Sequence, residues 1–157
     1  MGSKRHLYSV ETEWKGNHGH GTQSWHVYGR NHDITAEGKP VIHGSADPSF
    51  HGDPTGWNPG ELLLASLSAC HKLWYLGLCA GAGIIVTAYR DSAEAVMMET
   101  PQGDGAFESA LLRPVITLAS GSSIARAQAL HDQAHAHCFI ARSVNFPVIC
   151  EPVFQIV

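Results

Sequence analysis

Residues 58–80 leave this chain few ways to fold. Asn58 is a strong helix N-cap residue, Pro59 falls at the first helical position, and Glu61 at the third can reach back to the cap amide. The helix that follows is apolar around nearly its whole circumference, through Leu62, Leu63, Leu64, Leu67, Leu73, Trp74, Leu76 and Leu78. Gly81-Ala82-Gly83 ends it. A helix with no polar face is buried on every side. A chain of 157 residues, one domain over residues 1–157 by length, buries such a helix most easily against a partner subunit. His71 and Lys72 near its middle make a bilayer span costly, so it reads as a core helix with no membrane partner.

A second helical stretch runs from Ser122 to Ala141, with Ile124, Ala127, Ala134 and Cys138 on one face, and Asn145 and Pro147 stop it. The rest reads as β. Residues 6–14 alternate as a half-buried strand, and residues 24–29 can return as its hairpin partner across a Gly-, Asn- and His-rich turn. Residues 31–38 give a short strand and turn, and residues 47–60 a Pro/Gly-rich loop. Residues 84–99 and 106–118 predict a long hairpin, and residues 148–157 a last strand held at an edge or bulge by Pro152. Strands, helix, two strands, helix, strand is an α+β layout.

Charged residues make up 15% of the chain, below the roughly 25% usual in soluble domains, which points to exterior lying in a subunit interface. The net charge of -4 and the lack of any basic run exclude non-specific nucleic-acid binding. The N-terminus has no apolar segment behind its basic residues, and His6 stands where myristoylation needs Ser or Thr. A cytoplasmic location is therefore expected, where the four cysteines are thiols and any disulfide is transient.

Cys70 and Cys138 lie on the two separate helical stretches and form a candidate redox pair. A thiol in an apolar helix is inert unless a cation or hydrogen-bond donor ionises it. His71 is turned about 100° away from Cys70 on the helix. Arg30, before the long loop, is the candidate cation. Cys79 is turned away from Cys70, and Cys150 sits near a strand, so both read as structural thiols. Among the eleven histidines, His131 and His135 share a helix face with Cys138, a spacing that can chelate a metal. The glutamate of a metalloprotease motif is missing, and helical spacing also arises by chance, so no metal is assigned. His18 and His20 read as exposed. No phosphate-binding loop and no nucleophile-elbow serine occurs.

Two blocks carry a family resemblance. Residues Asn58-Pro59-Gly60-Glu61-Leu62-Leu63 followed by Ala65-Ser66-Leu67-Ser68-Ala69-Cys70 resemble the OsmC/Ohr family of bacterial peroxide-reducing proteins, as does His137-Cys138 leading through Val144 to Pro147. Tyr28-Gly29-Arg30 looks like the family's arginine-bearing turn, and the run Ser68–Tyr75 is similar to an OsmC-like subgroup. The resemblance implies antiparallel sheets wrapped around two long central helices in an intertwined homodimer. It also implies a peroxidase without cofactor, in which Cys70 attacks an organic hydroperoxide, Cys138 resolves the sulfenic acid as a disulfide, an external dithiol reduces it, and Arg30 lowers the Cys70 pKa.

One departure stands out. Gly60 occupies the position of the family glutamate that holds the arginine, and Glu61 next to it is already explained by capping. Two other readings therefore stay open: a non-catalytic dimer of this fold that binds an apolar ligand, and a metal-binding protein using His131, His135 and Cys138.

Overall fold

The computed structural model describes residues 2–157. Its contacts divide the chain into two compact units, residues 1–62 and residues 63–157.

The first unit holds an antiparallel sheet of β1 (Glu11–Trp14), β2 (His32–Thr35) and β3 (Ile42–Gly44), in that order. Trp14 pairs with His32, and His32 with Gly44. The expected strand over 6–14 shrinks to four exposed residues, and 24–29 forms turns instead of its partner. Arg30 supplies the reason. Its guanidinium lies 4.5 Å from the Trp25 ring centre and 4.1 Å from that of Tyr28, and it donates to the carbonyls of both residues. Carbonyls engaged this way are lost to a strand ladder. The long connection is closed by Gly29 N–H donating to Gly16 O at 2.8 Å. A Cβ at Gly16 would lie 1.8 Å from Gly29 O, so only glycine permits this approach. Beyond β3, Ser45 N–H donates to Trp57 O and Trp57 N–H donates to His43 O, and these bonds lead the chain into the first helix.

That helix, α1 (Pro59–Gly81), begins as expected. Asn58 Oδ1 accepts from Glu61 N–H at 2.9 Å, and Glu61 Oε2 accepts from Asn58 N–H at 3.0 Å, a reciprocal capping box. Gly83, at φ 71°, turns the chain out after the helix. Burial is one-sided rather than complete: Leu67, Cys70, His71, Tyr75 and Cys79 form the buried stripe, while Leu73 is 65% and Trp74 38% exposed. By length and composition α1 could also cross a membrane.

In the second unit the predicted long hairpin exists but is broken at one level. β4 (Val86–Asp91) and β5 (Glu94–Glu99) replace one strand, and β6 (Gly105–Leu112) and β7 (Pro114–Leu118) replace the other. At the break Asp91 accepts from Arg113 N–H at 2.7 Å and from Ser68 Oγ–H of α1 at 2.5 Å. Pro152 splits the last segment in the same way into β8 (Val148–Cys150) and β9 (Val153–Ile156). Each segment thus passes from one sheet to another, giving the orders β4-β7-β9 and β5-β6-β8. β8 and β9 are edge strands, as Pro152 suggested, but they pair in parallel with β6 and β7, so the sheets are mixed rather than purely antiparallel.

The second helix, α2 (Ile124–His137), is shorter than expected. Ser123 caps its start by accepting from Arg126 N–H. The chain leaves helical geometry at Cys138 (φ −68°, ψ 101°), so Cys138 is the C-cap and not an interior helix residue. Tyr75 and Cys79 of α1, Ala127, Leu130 and Ala134 of α2, and Ile116 and Leu118 of β7 make up the core. Tyr75 Oη–H donates to Ala127 O at 3.1 Å and ties the helices together.

Replacing Asn58 by Ala removes half of the capping box and is expected to cost about 1 kcal/mol in urea unfolding. Glu61→Gln, which keeps an acceptor at the same place, should cost less.

Candidate functional site

Cys70 reaches its position because it lies on the buried stripe of α1, and Cys138 because α2 ends there. Both are nearly closed to solvent, at 6% and 1% exposed. The Cys138 thiol is pushed up to about 11, first by burial and then by the Cys70 sulfur beside it. The N–H of Ala141, donating to Cys138 Sγ at 3.4 Å, works in the opposite direction. Cys138 is therefore a thiol at neutral pH. Burial alone does not ionise a thiol.

Arg30 belongs to the first unit. Its guanidinium is held by the Trp25 and Tyr28 carbonyls and rings, and no carboxylate pairs with it among the described residues. Glu61 does not replace the glutamate missing at Gly60, because its carboxylate serves the Asn58 amide.

A second cluster lies within the other unit. His71 from α1, His131 from α2 and Cys150 from the end of β8 bring three potential ligand atoms together. His71 Nε2 is 2.9 Å from His131 Nδ1, and Cys150 Sγ is 3.6 and 3.7 Å from these two atoms. The expected metal-chelating face of His131, His135 and Cys138 does not form this group. His135 is exposed, and His131 turns inward to stack on Tyr75 at 3.8 Å. Cys150 is likewise not a bystander, whereas Cys79 is a core residue as expected. In the sequence His71 reads as a residue that opposes a membrane span and is turned away from Cys70. A histidine inside an apolar helix is itself a signal, because a buried imidazole needs a polar partner. Cys150 offered no comparable signal: its place depends on a parallel strand pairing set by distant residues.

Burial holds His71 below its usual value, and burial with the neighbouring His71 lowers His131 to about 3. Both rings are neutral at pH 7. Burial, followed by the nearby acidic side chains, pushes the Cys150 thiol up to about 12. A base with a depressed folded-state pKa stabilises the fold above its unfolded value, about 6.5, and loses that contribution as pH falls toward the folded value. In chelator-treated protein the melting temperature is thus expected to fall between pH 6.5 and pH 3, and more steeply than in His131→Gln. Melts at closely spaced pH values check this.

The family model described as OsmC-like protein matches residues 51–152. No match was found among curated proteins. An OsmC-like protein of unknown function from Vibrio cholerae O1 biovar eltor str. N16961 superposes with a TM-score of 0.84 at 28% identity, covering 95% of this chain and 100% of its own. An organic hydroperoxide resistance protein from Elizabethkingia anophelis gives a TM-score of 0.68 at 19% identity, covering 98% and 100%. One from Legionella pneumophila gives 0.65 at 20% identity, covering 96% and 99%. At these lower identities the likeness is one of fold.

Proposed function

Because the chain belongs to the OsmC-like protein family, we propose that it is a thiol-dependent peroxidase that reduces organic hydroperoxides. What supports this reading is the pair of buried cysteines: burial, and then the Cys70 sulfur, hold Cys138 as a thiol with its pKa pushed up to about 11. Neighbours of the same fold described as organic hydroperoxide resistance proteins support the substrate class.

The Cys70 thiolate attacks the O–O bond of the hydroperoxide. The distal oxygen becomes Cys70 sulfenic acid, and the leaving alkoxide takes a proton to depart as the alcohol. Cys138 then attacks the sulfenic sulfur, water leaves, and a Cys70–Cys138 disulfide remains. An external dithiol reduces it by exchange. A thiol with a raised pKa suits resolution rather than first attack, because the weak nucleophile at neutral pH is the one kept protonated. Arg30 is the residue proposed to favour the Cys70 thiolate and the charge developing on oxygen. The reaction needs no cofactor and no metal.

In this proposal residues 1–157 act as a single domain in a cytoplasmic homodimer, with the exposed Leu73 and Trp74 of α1 covered by the partner. Sedimentation is expected to give twice the protomer mass at every concentration tested.

One equivalent of an organic hydroperoxide is expected to remove two hydrogens from the intact mass, with the bond mapped to Cys70 and Cys138. Cys70→Ser should lower hydroperoxide consumption by at least about a hundredfold. Cys138→Ser should permit one oxidation event and then stall at the sulfenic acid.

The competing reading is a dimer that binds an apolar ligand without turnover. Failure to consume any hydroperoxide with any dithiol would decide for it.

A further inference from the structure

The imidazoles of His71 and His131 lie nearly coplanar, at 5°, with ring centres 5.2 Å apart and facing nitrogens 2.9 Å apart. At that separation the rings meet edge to edge through one shared proton, not face to face. Cys150 Sγ completes a triangle with edges of 2.9, 3.6 and 3.7 Å. The centre of such a triangle is about 2 Å from each corner, so an ion just above its plane sits at roughly the 2.0–2.1 Å of a zinc–nitrogen and 2.3 Å of a zinc–sulfur bond.

A second observation points to the same place. Among the described residues, Tyr89 Oη and His131 Nε2 are the buried side-chain polar atoms without a hydrogen-bond partner. Both belong to one assembly: Tyr89 packs on Tyr75 at 6.1 Å, and Tyr75 stacks on His131 at 3.8 Å. Buried polar atoms left unpaired are costly, and one of these two is the second nitrogen of a ring that supplies a donor.

We propose that His71 Nε2, His131 Nδ1 and Cys150 Sγ bind a zinc-type divalent ion, with the fourth position open to water or a small ligand. Two imidazoles and a thiolate match the borderline-soft preference of such an ion, and three protein ligands leave one tetrahedral position open. On binding, the shared proton moves to the other nitrogen of its ring, and the Cys150 proton leaves to solvent. The two facing nitrogens lie on the line joining the ring centres, so an ion at bonding distance from both sits roughly 45° off each lone pair, and binding requires both rings to turn toward it. The site shares no side chain with the Cys70–Cys138 pair and stands or falls independently of the peroxidase reading.

Cobalt titration of the reduced, chelator-treated protein tests the site. The expected result is one ion per chain with a thiolate-to-cobalt charge-transfer band and tetrahedral visible bands. Cys150→Ser should abolish the charge-transfer band, His71→Gln should weaken binding by at least about tenfold, and Cys70→Ser should leave the band intact. Zinc should also shield Cys150 selectively from alkylation in the unmodified chain, a readout that needs no variant to fold. No stoichiometric binding by natively folded protein, a band that survives Cys150→Ser, or a band lost in Cys70→Ser would each overturn the proposal.

Discussion

Everything in the second unit depends on burying one stripe of α1. Leu67, Cys70, His71, Tyr75 and Cys79 recur at helical spacing and face the interior, where α2 and the β4-β7-β9 sheet receive the lower half of the stripe. Each large apolar side chain taken fully from water there contributes roughly 1.5–3 kcal/mol. The stripe also carries the chain's chemistry. Cys70 and His71 are adjacent but about 100° apart on the helix, so they enter different surroundings. Cys70 meets the sulfur of Cys138, and His71 meets the ring of His131. α2 serves both: His131 lies within it and Cys138 ends it. One pair of packed helices thereby holds two distinct groups of sulfur and imidazole side chains.

The three broken strand segments share a cause. A straight strand from 84 to 99 would keep all its residues in one sheet. The breaks after Asp91, after Leu112 and at Pro152 instead move each segment from one sheet to the other. Asp91 fixes the corner by accepting from both Arg113 N–H and Ser68 Oγ–H. The break at Pro152 leaves Cys150 at the end of β8, next to the helices, where an uninterrupted strand would continue past it.

Features written in local chemistry were legible from sequence. The capping box at Asn58 and Glu61, the stop near Gly83 and the edge placement around Pro152 each depend on a few neighbouring residues. The end of α2 at Cys138, three residues before the expected Ala141, was not legible in the same way. What escaped depended on distant partners. The segment 24–29 has strand-like side chains, but the carbonyls of Trp25 and Tyr28 within it are engaged by Arg30. The outer face of α1 is as apolar as its inner face, so composition could not say which residues a single protomer buries. Cys150 joins the histidines through a parallel pairing of β8 with β6, which no local pattern announces.

The missing glutamate at Gly60 changes how a guanidinium can be prepared for catalysis. A carboxylate partner orients an arginine but also neutralises part of its field, whereas carbonyl oxygens and aromatic faces orient it with its full charge kept. Arg30 is held in the second way, by the carbonyls and rings of Trp25 and Tyr28. The two carbonyls occupy two of the five N–H donors a guanidinium carries, which leaves the others for an anion. Losing the family glutamate therefore does not make Arg30 unfit for the proposed role. It exchanges an ion pair for an aromatic clamp, and the charge that a thiolate or a departing alkoxide would meet is undiminished.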